Sequence, residues 1–456
     1  MRASRALTVL AVLLASPASC VALDWNFEEG QGLPDVDADA VVDATFETGD
    51  EHDPDTGSDG TTPALDAEVE ASDDATVDAT VDATLLDAGL DSGTTVPPGF
   101  PIHVPAIDAG TVADLVDPTT IDTDARIVTG SAGVLPATFV HANGAAPDPS
   151  PYAILVVNDL VVTKALRVRG TYPLIIVARG NVTIAQTVSA GAMLVEPGPG
   201  GGWTNAALPA FGLDGGLPDA GTRLGMGGPG GIAGGRRSGA GGAGHKGGGA
   251  RGQSNGGDGG AAYGGATPAL LGGSPGGAGT NPSLAGACGY GGAGGGAIQI
   301  SAFGRITVTG ALDVGGGGGQ GGCGDNSGGG AGSAGTLLLE ALLGVRIDGV
   351  LAANGGGAGG GATSGGGGLR GVNGSNGGVN ASAAPGGAGG GASTDRAGGA
   401  GGARDAGPMT SAGTPNRGGG GGGSVGRILV RYRQDGGLGV GDASVVSPDL
   451  VALPLD

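Results

Sequence analysis

The chain is predicted to be all-β: a short right-handed parallel β-helix of about 4–5 coils, with glycine-rich insertions leaving from one corner. Three observations predict it. The first is a repeat, carried by residues 154–168, 176–190, 300–314 and 339–353. Stacked without gaps, the copies align Ile154, Ile176, Ile300 and Leu339, then Leu160, Val182, Ile306 and Val345, then Val162, Ile184, Val308 and Ile347. Two more columns follow, Leu166, Val188, Leu312, Leu351 and Val168, Ala190, Val314, Ala353. The second is alternation. Arg305-Ile306-Thr307-Val308-Thr309 and Gly344-Val345-Arg346-Ile347-Asp348 alternate polar with apolar, the mark of a strand with one buried face. The third is where the surplus residues fall. They come after the last column of one copy and before the first strand of the next, at 192–296, 315–335 and 355–423, and they are mostly glycine. A unit of about 20 residues cannot close a core alone, so the copies must stack. A β-sandwich of short strands would share the alternation but not the column identity.

The segments follow in order. Residues 1–19 read as an export signal, with Arg2 and Arg5 ahead of the apolar stretch 6–15, which is too short to span a bilayer as a mature helix. Ser16-Pro17-Ala18-Ser19-Cys20 resembles the bacterial lipobox, with Ala18 and Ser19 fitting and Pro17 standing where the usual pattern has Leu. The resemblance implies lipidation at Cys20, which would become the new N-terminus. Plain cleavage after Ala18 or Ala22 is the alternative.

Residues 20–96 read as a disordered acidic linker. Between 28 and 91 there are 21 Asp and Glu and no Lys or Arg, which accounts for most of the net charge of -22. Such a run buries too little apolar surface to order itself, and its like charges extend it. The stretch from Asp55 to Gly60, with Asp66 beyond it, partly mimics a calcium loop, but Gly57 sits where a ligand is needed, so it is read as solvated spacer. Residues 97–151 are expected to be a lead-in whose strands, at 124–129 and 137–141, cap the first coil. The β-helix proper is expected over 152–434, with a truncated fifth copy at Ile428-Leu429-Val430. Residues 435–456 are expected to cap the other end, and Arg427, Arg431 and Arg433 to point outward from the last strand rather than form a nucleic-acid patch.

The 109 glycines set the composition far from globular usage. Ordering each costs on the order of 1–2 kcal/mol, more than any other residue. Two readings of the insertions stay open: mobile loops, or extended polyglycine helices of three residues per turn packed side by side. Cys288 and Cys323 flank the third copy, so either a disulfide between neighbouring insertions or two free thiols is compatible with the spacing.

Catalytic chemistry is not expected. The outward strand positions hold Arg167, Arg169, Thr183, Ser189, Thr307, Thr309, Asp313, Arg346 and Asp348. Asp313 and Asp348 fall on different strands of adjacent coils and read as solvated charges rather than an acid–base pair. His52, His103, His141 and His245 lie in unrelated contexts. Gly242–Gly247 matches GxGxxG, but in tracts about half glycine one window in eight does so by chance, and no strand and helix flank it. The Gly321–Asp325 stretch is one residue short of a calcium nonapeptide and occurs once. No cofactor or metal is expected.

The signal ending in Cys20, the acidic Ala/Asp/Thr linker, and copies such as Leu174-Ile175-Ile176-Val177-Ala178-Arg179-Gly180-Asn181-Val182-Thr183-Ile184 followed by Gly/Ala tracts together resemble the glycine-rich, PGRS-like surface lipoproteins of Gram-negative bacteria. The resemblance spans nearly the whole chain and is compositional. It implies an exported outer-membrane or cell-surface protein, held to the membrane by an N-terminal lipid, and carries over no catalytic residue; extracellular polysaccharide or a neighbouring surface protein is the partner expected separately. The expected role is structural or adhesive. A carbohydrate-active β-helix enzyme is the alternative.

Overall fold

The computed structural model describes residues 96–104, 112–140, 152–203, 239–253, 256–263, 269–279, 288–324, 326–363, 369–392, 394–404, 406–411 and 417–455. The expectations for Cys20, the acidic linker, the calcium-like stretch, His52 and His141 lie outside the described residues.

The described chain is all-β with parallel sheets. The lead-in supplies β1 (Leu115–Val116), β2 (Pro118–Asp122), β3 (Ile127–Gly130), β4 (Gly133–Leu135) and β5 (Thr138–Val140). The repeats then follow in rounds of three: β6 (Ala153–Val157), β7 (Leu160–Val162) and β8 (Leu166–Arg169); β9 (Leu174–Ala178), β10 (Val182–Ile184) and β11 (Thr187–Ser189). Next come β12 (Ile298–Ala302), β13 (Ile306–Val308) and β14 (Ala311–Asp313), and then β15 (Thr336–Ala341), β16 (Val345–Ile347) and β17 (Val350–Ala352). Last are β18 (Arg427–Arg433), β19 (Leu438–Val440), β20 (Val445–Ser447) and β21 (Val451–Leu455). Each round places one strand in each of three sheets. Sheet 1 runs β1-β7-β10-β13-β16-β19, sheet 2 runs β20-β17-β14-β11-β8-β2-β3-β4, and sheet 3 runs β21-β18-β15-β12-β9-β6-β5. Pairing between rounds is parallel throughout.

Four of the five columns stack as the alternation predicts. Leu160, Val182, Ile306, Val345 and Leu438 lie in register, as do Val162, Ile184, Val308, Ile347 and Val440. Most of these side chains are fully buried in one core with Leu166, Val188, Leu312 and Leu351. Burying each is worth roughly 1.5–3 kcal/mol. The first column needs a correction. Leu155, not Ile154, pairs with Ile176, and Ile154 pairs with Ile175. Only Asn158 and Asp159 separate β6 from β7, where Arg179, Gly180 and Asn181 separate β9 from β10. One residue fewer at the corner shifts β6 by one place, and a shift of one sends each side chain to the opposite face. Ile154 therefore lies in a second core with Val156, Ile175, Val177, Phe100, Leu270, Phe303 and Leu342, on the outer side of sheet 3. Over β6, β9, β12 and β15, sheet 3 is covered on both faces.

Both ends carry the parallel stack further than expected, and β3 and β5 lie at the expected capping strands. The lead-in begins another round before it caps: β1 pairs parallel with β7 and β2 with β8, and only β3, β4 and β5 are antiparallel. At the other end residues 435–456 continue the stack, with β19, β20 and β21 extending sheets 1, 2 and 3 in parallel register.

The insertions leave after β11, β14 and β17 in sheet 2 and return to β12, β15 and β18 in sheet 3. Their described parts are ordered by hydrogen bonds that repeat every third residue. From the segment 316–322, the amides of Gly316, Gly319 and Gly322 donate to Asn354, Gly357 and Gly360 at 2.8–2.9 Å. Those of Gly317 and Gln320 donate to Ala293 and Tyr290, and those of Gly318 and Gly321 to the Oδ1 atoms of Asn376 and Asn373. Three consecutive amides thus point to three neighbours in turn, the geometry of an extended threefold helix. Segment 327–335 lies between six neighbours. It donates to Gln320 and Gly317, to Gly418, Gly421 and Ser424, and to Gly277 and Ser274. It accepts from Ala240 and Ala243, from Gly292 and Gly295, and from Gly356 and Gly359. Glycine is needed because the backbones touch: a Cβ on Gly330 would sit 1.9 Å from the Gly241 carbonyl oxygen. The glycine lattice is a continuation of sheet 2, whose ladder passes from Val314 on Ala352 directly to Gly316 on Asn354.

Asn354 joins the third insertion to the last round. Buried completely, it donates from Nδ2 to the carbonyls of Gly378 (2.7 Å) and Asn380 (2.6 Å) and accepts from Ser447 Oγ at 2.6 Å. Leucine has the same branched outline and none of these bonds. Asn354→Leu is expected to destabilise the chain by about 2 kcal/mol through the orphaned partners, read as a lower urea midpoint with an unchanged slope.

Candidate functional site

A buried polar cluster lies on the outer face of sheet 3. On β12 and β15 the residues between the inward Ile298, Ile300, Leu337 and Leu339 point outward, which brings Gln299 and Ser301 beside Glu340, with Arg431 of β18 next in the row. The Glu340 side chain is fully buried. One oxygen pairs with Arg431 Nη1; the other accepts from Ser301 Oγ at 2.7 Å, Gln299 Nε2 at 2.9 Å and the Ile102 amide at 3.2 Å. All four contacts are donors, as an ionised carboxylate requires. Burial nonetheless holds the Glu340 pKa above the usual value, against the pull of Ser301 and Arg431. The segment 96–104 crosses this face: Gln299 Nε2 donates to the Ile102 carbonyl at 2.6 Å, and His103 Nδ1 lies 2.9 Å from Gln299 Oε1. Arg431, expected to face outward, is turned into this cluster with 16% of its side chain exposed.

A second buried acid stands where sheet 2 becomes glycine. Asp313, expected to be a solvated charge, is only 7% exposed. Its Oδ1 accepts from the Gly315 amide at 2.9 Å and its Oδ2 from Ser189 Oγ at 3.3 Å. Arg167 reaches the same corner, donating to Ser189 Oγ and to the Gly191 carbonyl. Burial pushes the Asp313 pKa up to about 6, with Gly315, Ser189 and Arg167 opposing. The correction has a simple cause: the glycines at 191 and 315 bring backbone, not solvent, over the strand. Asp348 behaves differently. It is a surface partner of Arg346 at 2.6 Å and does not meet Asp313.

The other sequence candidates are scattered. Arg169 pairs with Asp122 at 3.0 Å. Thr183 and Thr307 are in register on sheet 1, followed by Arg346 and preceded by Val161, so no hydroxyl row forms. His245 is completely buried in the lattice, its ring 4.7 Å from that of Tyr263. Burial and the nearby Arg427 lower its pKa to about 4, and burial raises that of Tyr263 to about 12. The GxGxxG match around it is lattice backbone: the Gly242 amide is taken by the Ala250 carbonyl, and a Cβ there would meet Gly422. Cys288 and Cys323 are disulfide-bonded, with Cα atoms 5.8 Å apart. Among the described residues no group of three or more His, Cys, Asp or Glu is gathered to hold a metal ion. Gln299, Ser301 and Glu340 were not among the sequence candidates; their signal is a polar residue repeated at the outward places of otherwise apolar strands. No family model, curated protein or solved structure matches the chain.

Proposed function

We infer that the chain is a non-catalytic structural or adhesive protein of the cell surface, a parallel β-helix carrying a crest of polyglycine helices, held to the outer membrane through a lipid on Cys20 and lifted by the acidic linker. The observation that carries this reading is the glycine lattice. Its backbones are committed to one another, which makes a stiff platform with few side chains. Both buried acids support the same reading. Glu340 and Asp313 are engaged by four and two donors, and a general acid or base needs an atom free to reach substrate. The partner class is extracellular polysaccharide or a neighbouring surface protein.

Two measurements test this. Metabolic lipid labelling of wild type and Cys20→Ala, with protease shaving of whole cells, is expected to show label and surface exposure that the variant loses; an unlabelled, freely secreted wild type overturns the anchor. A saccharide screen on the full chain is expected to yield no product, and product lost on Asp313→Ala or Asp348→Ala would establish a carbohydrate-active enzyme instead.

A further inference from the structure

We propose that the outer face of sheet 3 is a peptide-docking site whose ligand is the chain's own segment 96–104, and that this clip fastens the N-terminal acidic segment to the body. The second clause rests on reading residues 20–96 as a linker.

The polar cluster is out of place where it stands. Its surroundings are apolar, with Phe100, Ile154, Val156, Ile175, Val177 and Phe303 in one layer. An apolar row would fill the space at least as stably, because a buried ion pair seldom recovers its desolvation cost. What the polar row adds is selection. Glu340 takes the amide of Ile102 while Gln299 donates to its carbonyl, so both backbone groups of a single residue are read by side chains. His103 and the Gly99 carbonyl are read next to it, by Gln299 and Arg431. Phe100 supplies the anchor, packed edge-on against Phe303 with ring centroids 5.3 Å apart. A slip of one residue would withdraw Phe100 from Phe303, and in one direction would set Pro101, which has no amide hydrogen, before Glu340, so the register is set.

The segment is also attached like a ligand. Among the described residues its one backbone–backbone bond is internal, from the Phe100 amide to the Pro97 carbonyl. It joins no ladder. Aromatic packing and side-chain readout hold it, in a turn-rich conformation. A load arriving from the acidic segment would meet this clip before it met β1.

Hydrogen exchange on the full chain tests it. In wild type the Ile102 amide is expected to exchange about 100-fold slower than in a free peptide of the same sequence, and Glu340→Gln to remove most of that protection while leaving β13 and β16 protected. The double variant Phe100→Ala/Ile102→Pro deletes the anchor and the amide that Glu340 accepts. A synthetic peptide of residues 96–104 is expected to bind this variant in trans, to fail with wild type, and to fail when Glu340→Ala is added. Exchange at Ile102 that is free in wild type, or a peptide that ignores the Glu340 substitution, overturns the proposal. An unlipidated chain would leave the clip measurable, and a freely exchanging segment would leave the lipid result standing, so the two readings fail separately.

Discussion

Gly330→Ala is expected to destabilise the glycine lattice by on the order of 3 kcal/mol, at or above the upper end for an overpacked core. The added methyl has no rotamer with which to escape. It would lie 1.9 Å from the Gly241 carbonyl oxygen and 2.5 Å from its carbon, and both are backbone. Relief requires moving one helix of the lattice against neighbours that are themselves bonded at every turn. Gly407→Ala is the matched control, since nothing lies within 4 Å of the position its Cβ would take. Thermal unfolding should separate the two clearly. Exchange protection at Ala331, whose amide donates to Gly421, should fall with the first and stay with the second. If the lattice were loosely held, the two alanines would behave alike.

The second large effect is a pair of opposed pH dependences over one window. Asp313 has a folded pKa of about 6 against an ordinary value of 3.8. Between those values the folded state holds the extra proton, so stability is highest below the lower pKa and falls as pH rises through about 6. His245 is the reverse, about 4 when folded against 6.5. There the unfolded state holds the extra proton, and stability is lost as pH falls from 6.5 toward 4. Each shift is worth roughly 3 kcal/mol at full effect. In wild type the contributions of these two groups should therefore largely offset each other between pH 4 and 6.5. Asp313→Asn keeps an acceptor for Gly315 and can donate to Ser189, and it should tilt the profile, relative to wild type, toward stability that rises with pH. His245→Phe should leave a falling slope, to which Glu340, also raised, adds in the same sense. Urea unfolding at a series of pH values reads both, and parallel profiles for the two variants would refute the assignment.

How far the sequence carries can be judged from particular residues. Columns such as Leu160, Val182, Ile306 and Val345 were legible because polar residues flank them on a strand with one covered face. Ile154 was misplaced because β6, Ala-Ile-Leu-Val-Val, is buried on both faces and has no alternation to fix its phase. Glu340 was missed for a related reason. What covers it is 96–104, a segment without periodicity, and only that cover turns an outward carboxylate into an interior one. Asp313 read as exposed because glycine contributes no side-chain signal that it will roof a neighbour. The lattice itself left a trace in Gly371-Val372-Asn373-Gly374-Ser375-Asn376, a three-residue rhythm in which the glycines face inward and the asparagines supply acceptors to Gly321 and Gly318.

The tight approach of backbones has a consequence for how such a gene can drift. Every glycine codon is one base from alanine, valine and an acidic or basic residue or serine. Where each carbonyl already occupies the place of a methyl, nearly all those single-base changes are damaging. Tracts whose monotony suggests relaxed constraint would then tolerate fewer point changes than the varied strands they adjoin, while whole triplets could still be gained or lost at the turns.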